Sequence, residues 1–179
     1  MQVNLAELSW EDVKKCIYPA DGSLPDTYVL ETTRDEWRRW ADFVNSNYPV
    51  KYFPGDGHEG VEVEINMPAV FKYWDSNDKD DSVPHASIQV GGVRVNCFFL
   101  SEDIIDGDID PRDVRSSIDH DHLMRYLTSI SLLLGKRIVL LSEGTQFSTG
   151  TPTGFDPEPL LTIDGELVSA HIWWPRLKA

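Results

Sequence analysis

The chain has 179 residues, enough for one domain with a sizeable core, and its 41% hydrophobic content excludes an intrinsically disordered protein. Its 30 acidic and 16 basic residues give a formal net charge of −14. That charge argues against binding to nucleic-acid phosphates or anionic membrane surfaces, and it favours a basic protein partner.

The two cysteines, Cys16 and Cys97, lie far apart in the sequence, so no disulfide framework is predicted. Cys97 belongs to an apolar run and is expected to be a buried small side chain. The first residues show no signal-peptide pattern, and no apolar run approaches the roughly 18 residues that cross a bilayer. We therefore expect a soluble, cytoplasmic, acidic protein of the kind common in bacteria.

The N-terminal third of the chain predicts two helices and one strand. A short helix is expected over 9–17, because Ser9 can cap it, and a β-rich strand over 27–31. A clearer helix is expected over 33–45, where Thr33 and Glu36 have the spacing of a capping box. The predicted apolar face of this helix contains Trp37, Trp40, Ala41 and Val44.

The segment 61–81 predicts a strand followed by a loop. Strict alternation over 61–65 predicts a strand with Val61, Val63 and Ile65 inward. The apolar stretch 67–74 does not decide between helix and strand. The stretch 75–81 has four Asp and no apolar residue, so a solvated loop is expected.

Two glycine-containing turns predict β-hairpins. Strands are expected over 86–90 and 93–100, on either side of Gly91-Gly92. A second hairpin is expected around Asp164-Gly165-Glu166, with strands over 160–163 and 167–174. The polar segment 144–159 that precedes it has the length of a functional or mobile loop.

The stretch 119–143 predicts a helix followed by a buried strand. Helix 119–134 should end at Gly135, because glycine readily adopts the left-handed backbone conformation found at helix ends. The run 137–141 should form the strand. The apolar stripe of the helix comprises Leu123, Tyr126, Leu127, Ile130 and Leu134.

Histidines and one carboxylate are the candidate catalytic groups. On a helix, the spacing of His120 and His122 points their side chains about 200° apart, which does not suit a shared metal ion. Glu143 follows a buried strand, a position where α/β enzymes place catalytic groups, and His171 is expected on the outward side of its strand. A small hydrolase or metal-dependent enzyme using these four residues is therefore an alternative hypothesis. Our first interpretation is different: we expect a protein with no metal, no cofactor and no catalytic residue.

Acidic residues are concentrated in the segment 101–117. The stretch Asp106–Asp110 resembles part of an EF-hand loop, but position twelve counted from Asp103 is Val114, whereas a calcium loop needs Glu there. The repulsion between its carboxylates suits a solvated loop, and a basic partner would relieve that repulsion. We therefore predict that this segment binds the partner, with the loop 75–81 as a second contributor. The predicted partner-binding residues are Glu102, Asp103, Asp106, Asp108, Asp110, Asp113, Asp75, Asp78, Asp80 and Asp81.

The segment Leu123 to Glu143 resembles small acidic bacterial immunity and toxin-neutralising proteins. The likeness covers about a ninth of the chain and contains no diagnostic residue, so no functional residue is carried over from it. It implies a protein that acts through protein–protein interaction.

Together these patterns predict a single α+β domain over 1–179, with a mixed or mainly antiparallel sheet and two main helices packed on it. One core is expected to contain Trp37, Trp40, Leu127, Ile130, Leu134, Val139 and Ile172. The functional hypothesis is an acidic cytoplasmic binding protein, of the immunity type, that neutralises a basic partner such as a toxin. A structural or oligomeric subunit without catalysis is a further alternative.

Overall fold

A nine-stranded sheet forms the centre of the structure, a computed structural model that describes residues 2–19, 21–55, 60–76, 82–143 and 159–171. Every described strand pairing is antiparallel, and the order across the sheet is β1-β9-β8-β7-β2-β6-β5-β4-β3. The strands are β1 (Gln2–Asn4), β2 (Asp26–Leu30), β3 (Val50–Phe53), β4 (His85–Val90), β5 (Val93–Phe98), β6 (Ile104–Ile109), β7 (Ile138–Leu141), β8 (Leu161–Asp164) and β9 (Leu167–His171). The expectation of a mainly antiparallel sheet in an α+β protein is confirmed.

The described residues contain four α-helices, where two main helices were expected. They are α1 (Trp10–Ile17), α2 (Arg34–Asn47), α3 (Met67–Asp75) and α4 (Ser117–Leu134), with 3-10 turns at Leu5–Glu7 and Pro111–Asp113. The stretch left undecided by its sequence is α3, because Asn66 caps its first turn and Pro68 suits that turn. None of the described helices is long and apolar enough to cross a membrane.

The caps and turns follow the local sequence. Thr33 and Glu36 form the expected capping box of α2, and Ser116 with Asp119 forms an equivalent box at the start of α4. Gly135 ends α4 with a φ of 65°, in the left-handed region as predicted. Both predicted hairpins are present: Val90 pairs with Val93 and Asp164 pairs with Leu167. The part of the second hairpin predicted over 172–174 lies outside the described residues.

Alternation along the strands separates two faces of the sheet. The side chains of Tyr52, Ala86, Cys97, Leu140 and Leu161 point to one face, which we call the helix-covered face, and all five are buried. The α2 helix contributes the two largest fully buried side chains, Trp37 and Trp40, and α4 adds Leu123 and Leu127 to the same core. Trp37 packs edge-on against Trp40, with 5.3 Å between ring centroids, and its ring is tilted by 43° against that of Phe99, also 5.3 Å away.

The predicted core is largely confirmed. Five of its members are buried in one cluster: Trp37, Trp40, Leu127, Ile130 and Leu134. The prediction that Val139 belongs to this core is wrong. Val139 lies between Ile138 and Leu140 on β7 and therefore points to the opposite face, where it is half-buried. Ile172 lies outside the described residues.

The strand predicted over 61–65 is wrong. Only Glu62 bridges to β3, through a reciprocal pair of 2.8 Å hydrogen bonds with Tyr52. The Asn45 side chain then holds both backbone polar groups of Ile65 and turns the chain towards α3. Val61 and Val63 are consequently 54% and 80% exposed, not inward-facing.

The solvated loop predicted over the acidic segment is also wrong in its centre. Residues 104–109 form β6, an interior strand between β2 and β5. Ile105, Gly107 and Ile109 are buried on the helix-covered face, so the period-two pattern of apolar residues outweighs the charge between them. The Asp residues of this strand therefore point to the other face.

Candidate functional site

The sheet face opposite the helix-covered face, which we call the second face, has polar and aromatic side chains at its centre. Asp26 and Tyr28 belong to β2, and both are half-buried. The neighbouring β6 contributes Asp106 and Asp108 to the same face, because each is paired across the strands with one of the β2 residues. These four side chains occupy adjacent positions on two hydrogen-bonded strands.

The register brings carboxylates together. Asp26 lies directly opposite Asp108, and Tyr28 lies directly opposite Asp106. Directly opposed residues of an antiparallel pair have Cβ atoms about 4.5–5.5 Å apart, a spacing at which like charges destabilise the pair. The chain therefore holds two acidic side chains at close range in the middle of its sheet.

The hydrogen bonding of this group is incomplete. The Asn96 amide on β5 donates to Asp108 Oδ1 at 2.7 Å, which stabilises that carboxylate. Asp106 Oδ1 is buried and has no hydrogen-bonding partner among the described residues. A buried acceptor without a donor costs free energy. The charged form of Asp106 is therefore destabilised unless the carboxylate gains a proton or a hydrogen-bond donor.

Burial and repulsion from neighbouring carboxylates raise the pKa values of Asp26, Asp106 and Asp108. Burial raises the pKa of Asp106 to about 7, and the charges of Asp26 and Asp108 contribute to the rise. The pKa of Asp26 is raised to about 6 by burial and by Asp108 and Glu143, while a hydrogen bond from Tyr28 opposes the increase. Burial also raises the pKa of Asp108, against the effects of Asn96 and Arg94. Near neutral pH, protons therefore compete with any cation for these groups.

Glu143 completes what we call the acidic cluster, which consists of Asp26, Asp106, Asp108 and Glu143. It follows β7, and its carboxylate accepts the backbone N–H of Leu24 at 2.9 Å. Its charge contributes to the raised pKa values of Asp26 and Asp108. The cluster thus draws on both neighbours of β2 in the sheet, β6 and β7.

An aromatic row borders the acidic cluster on the second face. The Phe53 and His85 rings stack 4.5 Å apart at an angle of 11°, and His85 lies 6.0 Å from the ring of Phe98. Phe98 is paired across the strands with Asp106, so the row reaches the carboxylates. A long cationic side chain can place its stem on such rings and its charge on the acids.

The structure divides the predicted partner-binding residues. Asp106 and Asp108 belong to the acidic cluster, whereas Glu102 and Asp75 share an ion pair with Arg34. The Arg34 guanidinium binds Asp75 with two hydrogen bonds, of 2.6 and 3.0 Å. These two carboxylates therefore already have a counterion.

The other predicted acids also lie away from the cluster centre. Asp110 is paired with Arg112, which holds the pKa of that carboxyl below its usual range. Asp113 accepts the backbone N–H of Arg94 at 3.3 Å, and Asp103 is exposed. The three remaining predicted residues, Asp78, Asp80 and Asp81, lie outside the described residues.

The histidines of the alternative hypothesis have separate surroundings. His120 is buried under α1, where Nδ1 lies 2.9 Å from the Tyr18 hydroxyl. A Cβ on Gly91 would meet the ring of His122, so His122 lies over the β4–β5 turn. His171 lies on β9, with Nε2 3.0 Å from the Thr162 hydroxyl. In the described part of the chain, no group of three or more His, Cys, Asp or Glu residues is placed to hold a metal ion.

Reasoning from the sequence did not identify Asp26, Tyr28 and Asn96 as site residues. The strand was predicted to begin at residue 27, although Asp26 is the first residue of β2. The alternation of Asp26 and Tyr28 with buried Thr27 and Val29 was the available signal. The pairing that brings Asp26 to Asp108 joins positions remote in the sequence and left no local pattern.

Comparisons of the chain with protein-family models, with curated proteins and with solved structures give no match.

Proposed function

We propose that the protein binds and neutralises a basic protein partner by receiving an Arg or Lys side chain at the acidic cluster. The observation that carries this proposal is the direct opposition of Asp26 and Asp108 beside Asp106, whose buried Oδ1 lacks a partner in the described structure. A cation beside this pair would offset the repulsion between the carboxylates.

The surroundings of the cluster favour a protein side chain over a small inorganic cation. The rings of Phe98 and Tyr28 flank the carboxylates on the second face. These rings can contact the aliphatic stem or the guanidinium plane of an arginine, and Arg is enriched where interfaces bury charge. A bare metal ion would gain nothing from that aromatic surface.

The net charge of −14 supports the same kind of partner at longer range. A strongly acidic protein attracts a basic one before contact, which raises the association rate at low ionic strength. An immunity-type protein that neutralises a basic toxin is the member of this functional class that we favour. The net charge would attract basic proteins in general, and the acidic cluster would select among them the one whose Arg or Lys fits it.

The test compares two double variants with the same change in net charge. In Asp26→Asn/Asp108→Asn the opposed pair on the second face is neutralised, whereas Asp42→Asn/Glu64→Gln removes two exposed carboxylates elsewhere. Each immobilised protein is exposed to lysate of the source organism at low and at high salt. Captured proteins are then purified, and their affinities for the wild type and both variants are measured by calorimetry.

We expect basic partners that bind the wild type and the exposed-site variant but lose affinity for the cluster variant. Loss of binding at high salt should accompany this difference. Equal affinity for both variants would place the binding site away from the acidic cluster. Absence of any basic partner at low salt would overturn the proposed function.

A further inference from the structure

A groove with mainly apolar walls lies on the other side of the molecule from the acidic cluster, between the N-terminal 3-10 turn, α1, α4 and β9. Its volume is about 370 Å³, within the range of sites that take small ligands or single side chains. Seven of its twelve lining residues are apolar, among them Leu5, Leu8, Trp10, Met124 and Val168. Trp10, Leu8 and Val168 are half-exposed, so the groove is open to a ligand.

One buried polar group faces this groove. His120 is only 7% exposed, yet it belongs to the lining, and its ring lies 6.0 Å from that of Trp10. Its Nδ1 is hydrogen-bonded to Tyr18, whereas Nε2 has no hydrogen-bonding partner among the described residues. Nε2 is not among the fully buried side-chain atoms that lack a partner, so part of its surface remains exposed, and His120 belongs to the groove lining.

The partnership with Tyr18 decides which ring nitrogen of His120 carries the proton. Tyr18 is buried, and in the described structure its hydroxyl has His120 Nδ1 as its one hydrogen-bonding partner. If the hydroxyl did not donate to Nδ1, its proton would be buried without an acceptor, at a cost in free energy. Nδ1 therefore accepts. Burial lowers the pKa of His120, so the ring is neutral near pH 7 and its proton is on Nε2.

The groove therefore presents one N–H donor on an apolar floor, with charge at its margin. Two of the lining residues are exposed acids, Asp121 and Glu166, and no basic residue belongs to the described lining. The acids disfavour a carboxylate or phosphate as the acceptor for Nε2–H. A peptide carbonyl satisfies the donor without that repulsion.

We propose that this groove is a second binding site, which takes a peptide segment with an apolar side chain next to a Lys or Arg. The apolar side chain would occupy the space between Trp10 and Met124. A backbone carbonyl of the segment accepts from His120 Nε2–H, and the basic side chain lies against Asp121 and Glu166. The inference takes from the proposed function only the basic character of the partner, since groove and acidic cluster share no residue.

The experiment uses the full chain with its methionine methyl groups labelled with ¹³C. Met124 lines the groove, and Met67, which lines a different hollow, serves as the internal control. The probe is a short blocked peptide, Lys-Leu-Lys-Leu-Lys, and its charge-matched control is Lys-Ser-Lys-Ser-Lys. We expect the leucine peptide to shift the Met124 signal saturably, with Met67 unmoved and with a much weaker effect of the serine peptide.

Variants assign the effect to the groove. Trp10→Ala should weaken binding of the leucine peptide at least about tenfold. Leu100→Ala, which alters an apolar residue that is 54% exposed elsewhere, should leave it unchanged. Leu8→Ser serves as the groove variant if Trp10→Ala does not fold. Asp121→Asn/Glu166→Gln should weaken binding several-fold at low salt and leave the high-salt affinity nearly unchanged.

The cluster variant Asp26→Asn/Asp108→Asn separates the two proposals, because it should bind the leucine peptide like the wild type. Loss of peptide binding in that variant would overturn the separate groove site without deciding the role of the cluster. An unmoved Met124 signal, or equal effects of both peptides, would also overturn it. A concentration-dependent Met124 shift without peptide, together with a doubled solution mass, would assign the groove to a second copy of the chain instead.

Discussion

Protonation of single side chains makes the stability of this protein depend on pH in an unusual direction. A carboxyl group whose pKa is raised by folding binds more protons in the folded state than in the unfolded state. The free energy of unfolding then decreases as the pH rises from the unfolded pKa to the folded one. For Asp106 this window extends from the ordinary value of 3.8 to about 7. Asp26 adds a loss of the same sign up to about 6.

We therefore predict that Asp106→Asn stabilises the protein at about pH 8, by roughly 1–3 kcal/mol after allowance for solvent screening, and that the gain disappears near pH 4. Asn resembles the protonated carboxyl in shape and carries no charge into the cluster. Urea denaturation midpoints at the two pH values provide the measurement. Asp110→Asn is the control of opposite sign, because Arg112 lowers the pKa of Asp110 and its carboxylate stabilises the fold above that pKa. A variant of Asp106 that is less stable than the wild type at the higher pH would contradict the assignment.

Gly92 is a second position where adding a single side-chain carbon should lower the stability of the protein. A Cβ at this residue would clash with the carboxylate of Asp119, which completes the capping box of α4. Gly92→Ala should therefore cost about 1–2 kcal/mol through loss of the cap. Gly60→Ala is the matched control, since a Cβ there meets nothing within 4 Å. Equal denaturation midpoints for the two variants would show that the turn and the helix start are not in contact.

Among the secondary-structure elements, α4 has one buried face and one exposed face. Leu127 is 2% exposed and Leu132 is 55% exposed. We predict that Leu127→Ala costs about 2–5 kcal/mol in unfolding free energy, whereas Leu132→Ala costs a small fraction of that. Chemical denaturation of both variants tests the orientation of the helix. Similar losses would mean that the helix is rotated relative to the sheet.

Elements with strong local signals were predicted well. The capping box at Thr33 and the left-handed Gly135 are satisfied by neighbours within a few residues, so the sequence around them was sufficient. The hairpin at Gly91-Gly92 depends equally on local turn geometry. By contrast, β6 was assigned to a loop because its acidic composition was weighed above the period-two pattern of Ile105, Gly107 and Ile109. Burial on the helix-covered face outweighs the unfavourable charge on the other side.

The candidate site was harder to predict than these elements. Asp26 acquires its significance only through its partner Asp108, and the sequence between them contains three strands and two helices. No local periodicity encodes such a pairing. Arg34 shows the opposite error, because its ion pairs with Asp75 and Glu102 neutralise acids that the sequence presented as free. Cross-strand register and long-range ion pairs are both properties of the folded chain.

For the whole molecule, the strand order predicts a gradient of backbone stability. β2 is hydrogen-bonded on both sides, to β6 and β7, whereas β1 has only three residues and pairs with β9 at the margin of the sheet. Amide hydrogen exchange followed by NMR should show β2 opening only with global unfolding, while β1 exchanges orders of magnitude faster. Similar protection of Val3 and Val29 would contradict this strand order.

The central position of β2 also has a consequence for the chain as it leaves the ribosome. Asp26–Leu30 is synthesised early, but both of its strand partners, Ile104–Ile109 and Ile138–Leu141, emerge much later. The strands β3 to β6 lie consecutively in both sequence and sheet, so they can pair with one another as they appear. The nascent β2 must wait with its Val29 and its unpaired backbone exposed, the condition in which chaperones bind and chains associate wrongly. A charged residue at the start of this unpaired strand would discourage its pairing with the wrong chain.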